Sequence, residues 1–107
     1  MVIHSIEKEP IMKKFVFLSY GYETPTQEIQ DAWGKWFASF ADKMVDSGSP
    51  FVAGREITHT GTKELSLGKE ALTGYCIINA DSIDEAEKIA KDCPIITSIR
   101  VYEARSM

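Results

Sequence analysis

The segment from Gly74 to Pro94, GYCIINADSIDEAEKIAKDCP, constrains this chain more than any other. Leu72 to Ala80, which overlaps it, is of strand length and apolar on both faces through Tyr75-Cys76-Ile77-Ile78, the pattern of a strand buried on both sides. Ser82-Ile83-Asp84-Glu85 follows as a capping box, with two acids in the first helical turn to complement the helix dipole. Ile83, Ala86, Ile89 and Ala90 give the helix one apolar stripe, and Pro94 stops it. A strand, a capped amphipathic helix and a stop thus fit into 21 residues.

The rest of the chain supplies the other elements. Phe15 to Tyr20 (FVFLSY) is a strand by its aromatic and β-branched content, and Gly21 to Glu23 breaks it. Thr24-Pro25-Thr26-Gln27 opens a helix, with Thr24 as the cap, Pro25 at the first position and Gln27 closing the box. Ile29, Trp33, Trp36, Phe37, Phe40, Ala41 and Met44 form its apolar stripe, and Gly48 ends it. The aromatic cluster is read as core, with a cofactor-stacking box as the minor alternative. Phe51 to Thr58 (FVAGREIT) reads as the second strand, His59 to Gly68 as a polar loop with a turn near Gly61-Thr62, and Ile95 to Tyr102 as the last strand.

The order is β-α-β-β-α-β, the pattern of a ferredoxin-like α+β sandwich with two helices on one face of a four-stranded antiparallel sheet. At 107 residues the chain makes one domain. Residues 1–12 are expected to be an extension and 13–107 the domain, and His4 is discounted with the extension.

Composition narrows the function classes. A net charge of −4 without a basic block argues against nucleic acid and against an anionic membrane surface. Apolar runs fall far short of the ~20 residues of a membrane span, and no signal peptide is evident. Cys76 and Cys93 read as two reduced thiols of a cytoplasmic protein. A nucleophilic Cys76 would need a neighbour that stabilises thiolate, and its sequence neighbours are Tyr75 and Ile77. Metal-ligand spacings and a phosphate-cradling glycine loop are both missing, so no cofactor is expected.

Two helices cover only one sheet face, and a wet second face calls for alternation of apolar with polar residues. Here Phe15 and Phe17 oppose Val16 and Leu18, and Tyr75 and Ile77 oppose Cys76 and Ile78. Ile99 and Val101 share one face of the last strand, and Ser98, Arg100 and Tyr102 share the other. The second face is too apolar for water, and a homodimer that stacks the two sheets accounts for it. The alternative is a monomer whose His59–Gly68 loop folds over the sheet.

The tetrapeptide Tyr75-Cys76-Ile77-Ile78 is the one that names the YCII-related family. Gly74-Tyr75-x-Ile77-Ile78-x-Ala80-x-Ser82-x-Asp84-Glu85-Ala86, with Pro94 beyond it, resembles the DGPF-domain subgroup. That subgroup has a Gly-Pro-Phe turn. Here Asp46-Ser47-Gly48-Ser49-Pro50-Phe51 is similar to it, with Ser49 inserted. The resemblance, over residues 13 to 104, implies a ferredoxin-like fold paired into a dimeric α+β barrel. Some members are thought to use a histidine–aspartate pair near the first helix. Asp46 stands near that acidic position, but no histidine lies between Lys13 and Thr58.

Six residues are candidates for ligand binding. Arg100, Tyr20 and Ser19 would form a pocket for a small anion at the ends of the first and last strands. Arg55 and Glu56 point to opposite faces of a regular strand; a cleft arginine clamps carboxylate or phosphate, whereas an Arg–acid pair between subunits is the structural alternative. His59 reads as a loop residue, with proton transfer conditional on a carboxylate neighbour such as Glu56 or Glu64. The expectation is a small organic, possibly anionic, ligand in the cleft of a homodimer. The alternative is a small cofactor-independent enzyme of lyase, hydrolase or isomerase type using an acid/base pair in that cleft.

Overall fold

A computed structural model of the chain describes residues 12–105. The expected extension lies, apart from Met12, outside the described residues, as does His4. The elements in order are β1 (Lys13–Tyr20), α1 (Gln27–Ser39), β2 (Met44–Asp46), β3 (Gly54–Thr58), β4 (Gly61–Leu65), β5 (Leu72–Ala80), α2 (Ile83–Lys91) and β6 (Ser98–Ala104). A single 3-10 turn, Ala41–Lys43, links α1 to β2. The four-stranded antiparallel sheet has the order β2-β5-β1-β6. That is the ferredoxin-like arrangement, with a separate two-stranded hairpin, β3-β4, inserted between β2 and β5.

The register sorts side chains onto two faces, because residues opposite one another in a ladder point the same way. Phe17 lies opposite Cys76 on one side and Val101 on the other. With Phe15, Ile78 and Ala80 these residues face the helices. Trp36 of α1, Phe40 at its C-terminal cap and Ala86 and Ala90 of α2 close over them, and Phe15 and Ile78 are 0% exposed. Trp36 and Phe40 meet edge-on, with centroids 4.6 Å apart. The aromatic stripe of α1 is therefore core.

Both helices begin on hydroxyl caps. Ser82 Oγ accepts from the Glu85 amide at 3.1 Å, as the capping box requires, while Glu85 Oε1 accepts from the Asp81 amide at 2.8 Å. On α1 the cap is Thr26, whose Oγ1 accepts from the Ile29 amide at 3.2 Å, and not Thr24.

Three boundaries differ from expectation. Helix α1 ends at Ser39, well before Gly48. The stripe reads on to Met44 because Met44, now in an extended strand opposite Ile78, packs against the same core. The second strand of the sheet is accordingly Met44–Asp46 and not Phe51–Thr58. Gly54–Thr58 pairs instead with Gly61–Leu65, so part of the expected loop is a strand. Finally, β6 starts at Ser98, after an irregular passage from Pro94 to Thr97. Among the described residues no helix is long and apolar enough to cross a membrane.

Candidate functional site

The face of the sheet turned away from the helices carries the most concentrated chemistry. Tyr75, Leu18 and Arg100 lie side by side across β5, β1 and β6. Ile77, Val16 and Tyr102 form the next row. Val16, Leu18, Tyr75 and Ile77 are half-buried with no helix above them, and Tyr102 is 51% exposed. Two strand spacings separate Tyr75 from Arg100, about 10 Å across the apolar floor made by Leu18.

Polar groups stand at both ends of that row. At one end, the guanidinium carbon of Arg100 lies 4.5 Å from the centre of the Tyr20 ring. The ring holds the cation by its quadrupole and leaves the guanidinium edges free to donate. At the other end, the Tyr75 hydroxyl donates to Asp46 Oδ2 at 3.4 Å, a long bond. Phe51 stacks on Tyr75, with centroids 5.7 Å apart and planes 18° apart.

The turn from Asp46 to Phe51 builds this second end. Asp46 Oδ1 accepts from the Gly48 amide at 2.8 Å, an Asx-type turn. Gly48 has φ +75°, and a Cβ there would meet the Tyr75 carbonyl oxygen. Pro50 bridges to Gly74, and the Phe51 amide donates to the Thr73 carbonyl at 2.8 Å. The Asp, Gly, Pro and Phe of the turn thus lock one another against β5, and the inserted Ser49 is accommodated.

The six expected ligand residues fall in three places. Tyr20 and Arg100 are together on the open face. Ser19 lies opposite Ile99 on the helix side and lines a small cleft with Trp33, Thr73 and Cys93, which Tyr20 also borders but Arg100 does not. Alternation along β1 separates adjacent residues onto opposite faces, so the expected Ser19–Tyr20–Arg100 pocket does not form as one cavity. Arg55, Glu56 and His59 belong to the β3-β4 hairpin, and all three are exposed. Arg55 approaches Glu64 at 3.7 Å within the chain, an exposed pair worth little by itself. His59 sits at the hairpin tip and forms no ion pair among the described residues. Within a single copy, no hydrogen bond or ion pair joins these hairpin residues to Arg100 among the described residues. Nor does the hairpin fold back over its own open face, since every residue of it is exposed.

Asp46, Tyr75 and Phe51 were not among the expected site residues. Their signal was present: a Gly-Pro-Phe-like turn beside a tyrosine that alternation puts on the uncovered face. The thiols lie on the other side. Burial, aided by the Asp46 charge, pushes Cys76 up to about 11. Burial, aided by Cys76, pushes Cys93 up to about 12. Both are free thiols and neither is poised as a nucleophile.

A ferredoxin-like α+β domain with helices on one face and an arginine–tyrosine cluster on an uncovered second face is the class this geometry defines. The chain belongs to the YCII-related domain family, whose profile matches residues 14–107. No curated protein matches it.

Proposed function

We propose that this YCII-like protein is a homodimer that stacks its open sheet faces into an α+β barrel and binds a small anionic organic molecule between them. The observation that carries the reading is Arg100 held on Tyr20 at one end of a half-buried apolar row. The guanidinium takes the carboxylate or phosphate end of a ligand, the body lies over Leu18, and Tyr75 meets the far end. Face-to-face pairing supplies the cover that this row lacks in one copy. The Asp46–Phe51 turn supports placement near the DGPF-domain subgroup, and two free buried thiols fit a reducing compartment such as the cytoplasm.

The alternative, a cofactor-independent enzyme of lyase, hydrolase or isomerase type, draws on the Asp46–Tyr75 contact. A carboxylate that orients a phenol at the end of a cleft is an arrangement for moving a proton.

Sedimentation at micromolar concentration should give a dimeric mass; a monomer sinks the proposal. In a thermal-shift screen with small mono- and dicarboxylates, at least one should raise the melting temperature of the wild type but not of Arg100→Ala. Equal shifts in both proteins remove Arg100 from the site. Turnover of a bound carboxylate that is lost in Asp46→Asn, with binding retained, would favour the enzyme reading.

A further inference from the structure

The hairpin is unexplained by the fold that carries it. Its ladder is regular, from Gly54 opposite Leu65 to Thr58 opposite Gly61. Yet every residue from Pro50 to Leu67 is exposed, Val52 by 81% and Ile57 by 76%. A two-stranded hairpin with nothing beneath it is marginal in water. An ordered arm of this kind gains its apolar contact outside its own chain.

Several observations point to a second copy as that contact. The arm is rooted on the open face, because Phe51 stacks on Tyr75. Two copies that approach through that face therefore meet each other's arms. The arm also has the reach: Phe51 to Thr58 spans about 23 Å when extended, and a four-stranded sheet is about 19 Å across. One arm face fits the task. Arg55 lies opposite Glu64 and Ile57 opposite Thr62, so this face is charge-balanced around an apolar centre. Its counterpart on the sheet is the strip of Val16, Leu18 and Ile77.

Resting on the homodimer reading above, we propose that the arm of each copy lies across the open sheet of the other, with Ile57 seated on Val16 and Ile77, beside the Leu18 floor that the ligand covers. This brings His59 of one copy beside Tyr20 and Arg100 of its partner, while Arg55 points along the arm the other way. The site is then composite, and three of the expected ligand residues, His59, Tyr20 and Arg100, meet across the two-fold axis. Each site gains a histidine that the sheet itself does not carry.

Photo-cross-linking of the full chain tests this. A benzophenone amino acid is placed at Ile57 in one sample and at His59 in another. Each is mixed and refolded with isotope-labelled wild type, so that links between chains are told apart by mass. The proposal expects inter-chain links from position 57 into residues 13–20, and from position 59 into residues 18–20 or 98–102. Links within one chain, links to the helices, or a dimer that yields no links overturn it. Sedimentation of the same samples separates the two ideas. A monomer defeats the homodimer reading and this one together, whereas a dimer linked elsewhere defeats only this one.

Discussion

The Trp36 indole Nε1 donates a 2.8 Å hydrogen bond to the Ile89 carbonyl oxygen and so ties the two helices together above the sheet. Trp36 is 4% exposed, so the donor is buried, while the acceptor residue Ile89 is half-buried. Trp36→Phe removes the donor and leaves a void. The carbonyl keeps only the 3.3 Å bond from the Asp92 amide. A loss of about 2–3 kcal/mol is expected. It is read as a lower urea midpoint at unchanged slope. The half-buried Trp33, changed the same way, should cost under about 1.5 kcal/mol. Equal costs at both positions would show that the bond contributes nothing.

Two glycines should respond in opposite directions. Gly48→Ala forces a side chain at φ +75° into the Tyr75 backbone, for a loss of about 3 kcal/mol or more. Gly34 lies inside α1 with nothing within 4 Å of an added Cβ. Gly34→Ala should gain about 1 kcal/mol from helix propensity, or a few degrees of melting temperature. A Gly48→Ala protein that melts like the wild type would contradict the described turn.

The thiols set an alkaline limit. Both fold with pKa values raised above the ordinary 9.0, Cys76 to about 11 and Cys93 to about 12. Above pH 9 the unfolded chain releases these protons while the folded chain keeps them, so stability falls as pH rises. The contribution is complete below pH 9 and is lost progressively between 9 and 12. Between pH 8 and pH 10 a loss of about 2–3 kcal/mol is expected from the pair. A Cys76→Ala/Cys93→Ala protein, compared with itself over the same range, should lose less. In the native protein at pH 8, a thiol reagent should titrate neither cysteine until urea is added.

Asp46 should matter more to its own turn than to Tyr75. Asp46→Ala removes the acceptor of the Gly48 amide and should cost about 1–2 kcal/mol. Tyr75→Phe gives up only a 3.4 Å contact and should cost under about 1 kcal/mol. A double-mutant cycle measures their coupling, expected below about 0.5 kcal/mol in the unliganded protein.

What the sequence disclosed divides along physical lines. The stretch from Leu72 to Pro94 was legible because strand, cap and stop each depend on neighbouring residues. The second strand was misplaced because Arg55-Glu56-Ile57-Thr58 has strand composition but no core to face, and composition does not say what a strand packs on. The end of α1 was misread because Phe40 and Met44 serve one core from two kinds of backbone. Thr24 and Thr26 flank Pro25, and either hydroxyl satisfies a capping pattern; the apolar stripe does not choose between them. At the site, Arg100 with Tyr20 was foreseeable from strand order, but Ser19 was grouped with them although alternation turns it the other way. Tyr75 and Asp46 are 29 residues apart in the sequence, and only the turn geometry joins them.

The strand order also governs when the chain is able to fold. β1 occupies the middle of the sheet, yet both its neighbours, β5 and β6, come from the last third of the sequence. During synthesis Phe15, Phe17 and the aromatics of α1 emerge long before Cys76 and Val101, the residues they pack with or beside. Such a chain closes its core late, in keeping with the slower folding of topologies built on distant pairings. Until β6 is made, its apolar face is open to other nascent copies and to chaperones.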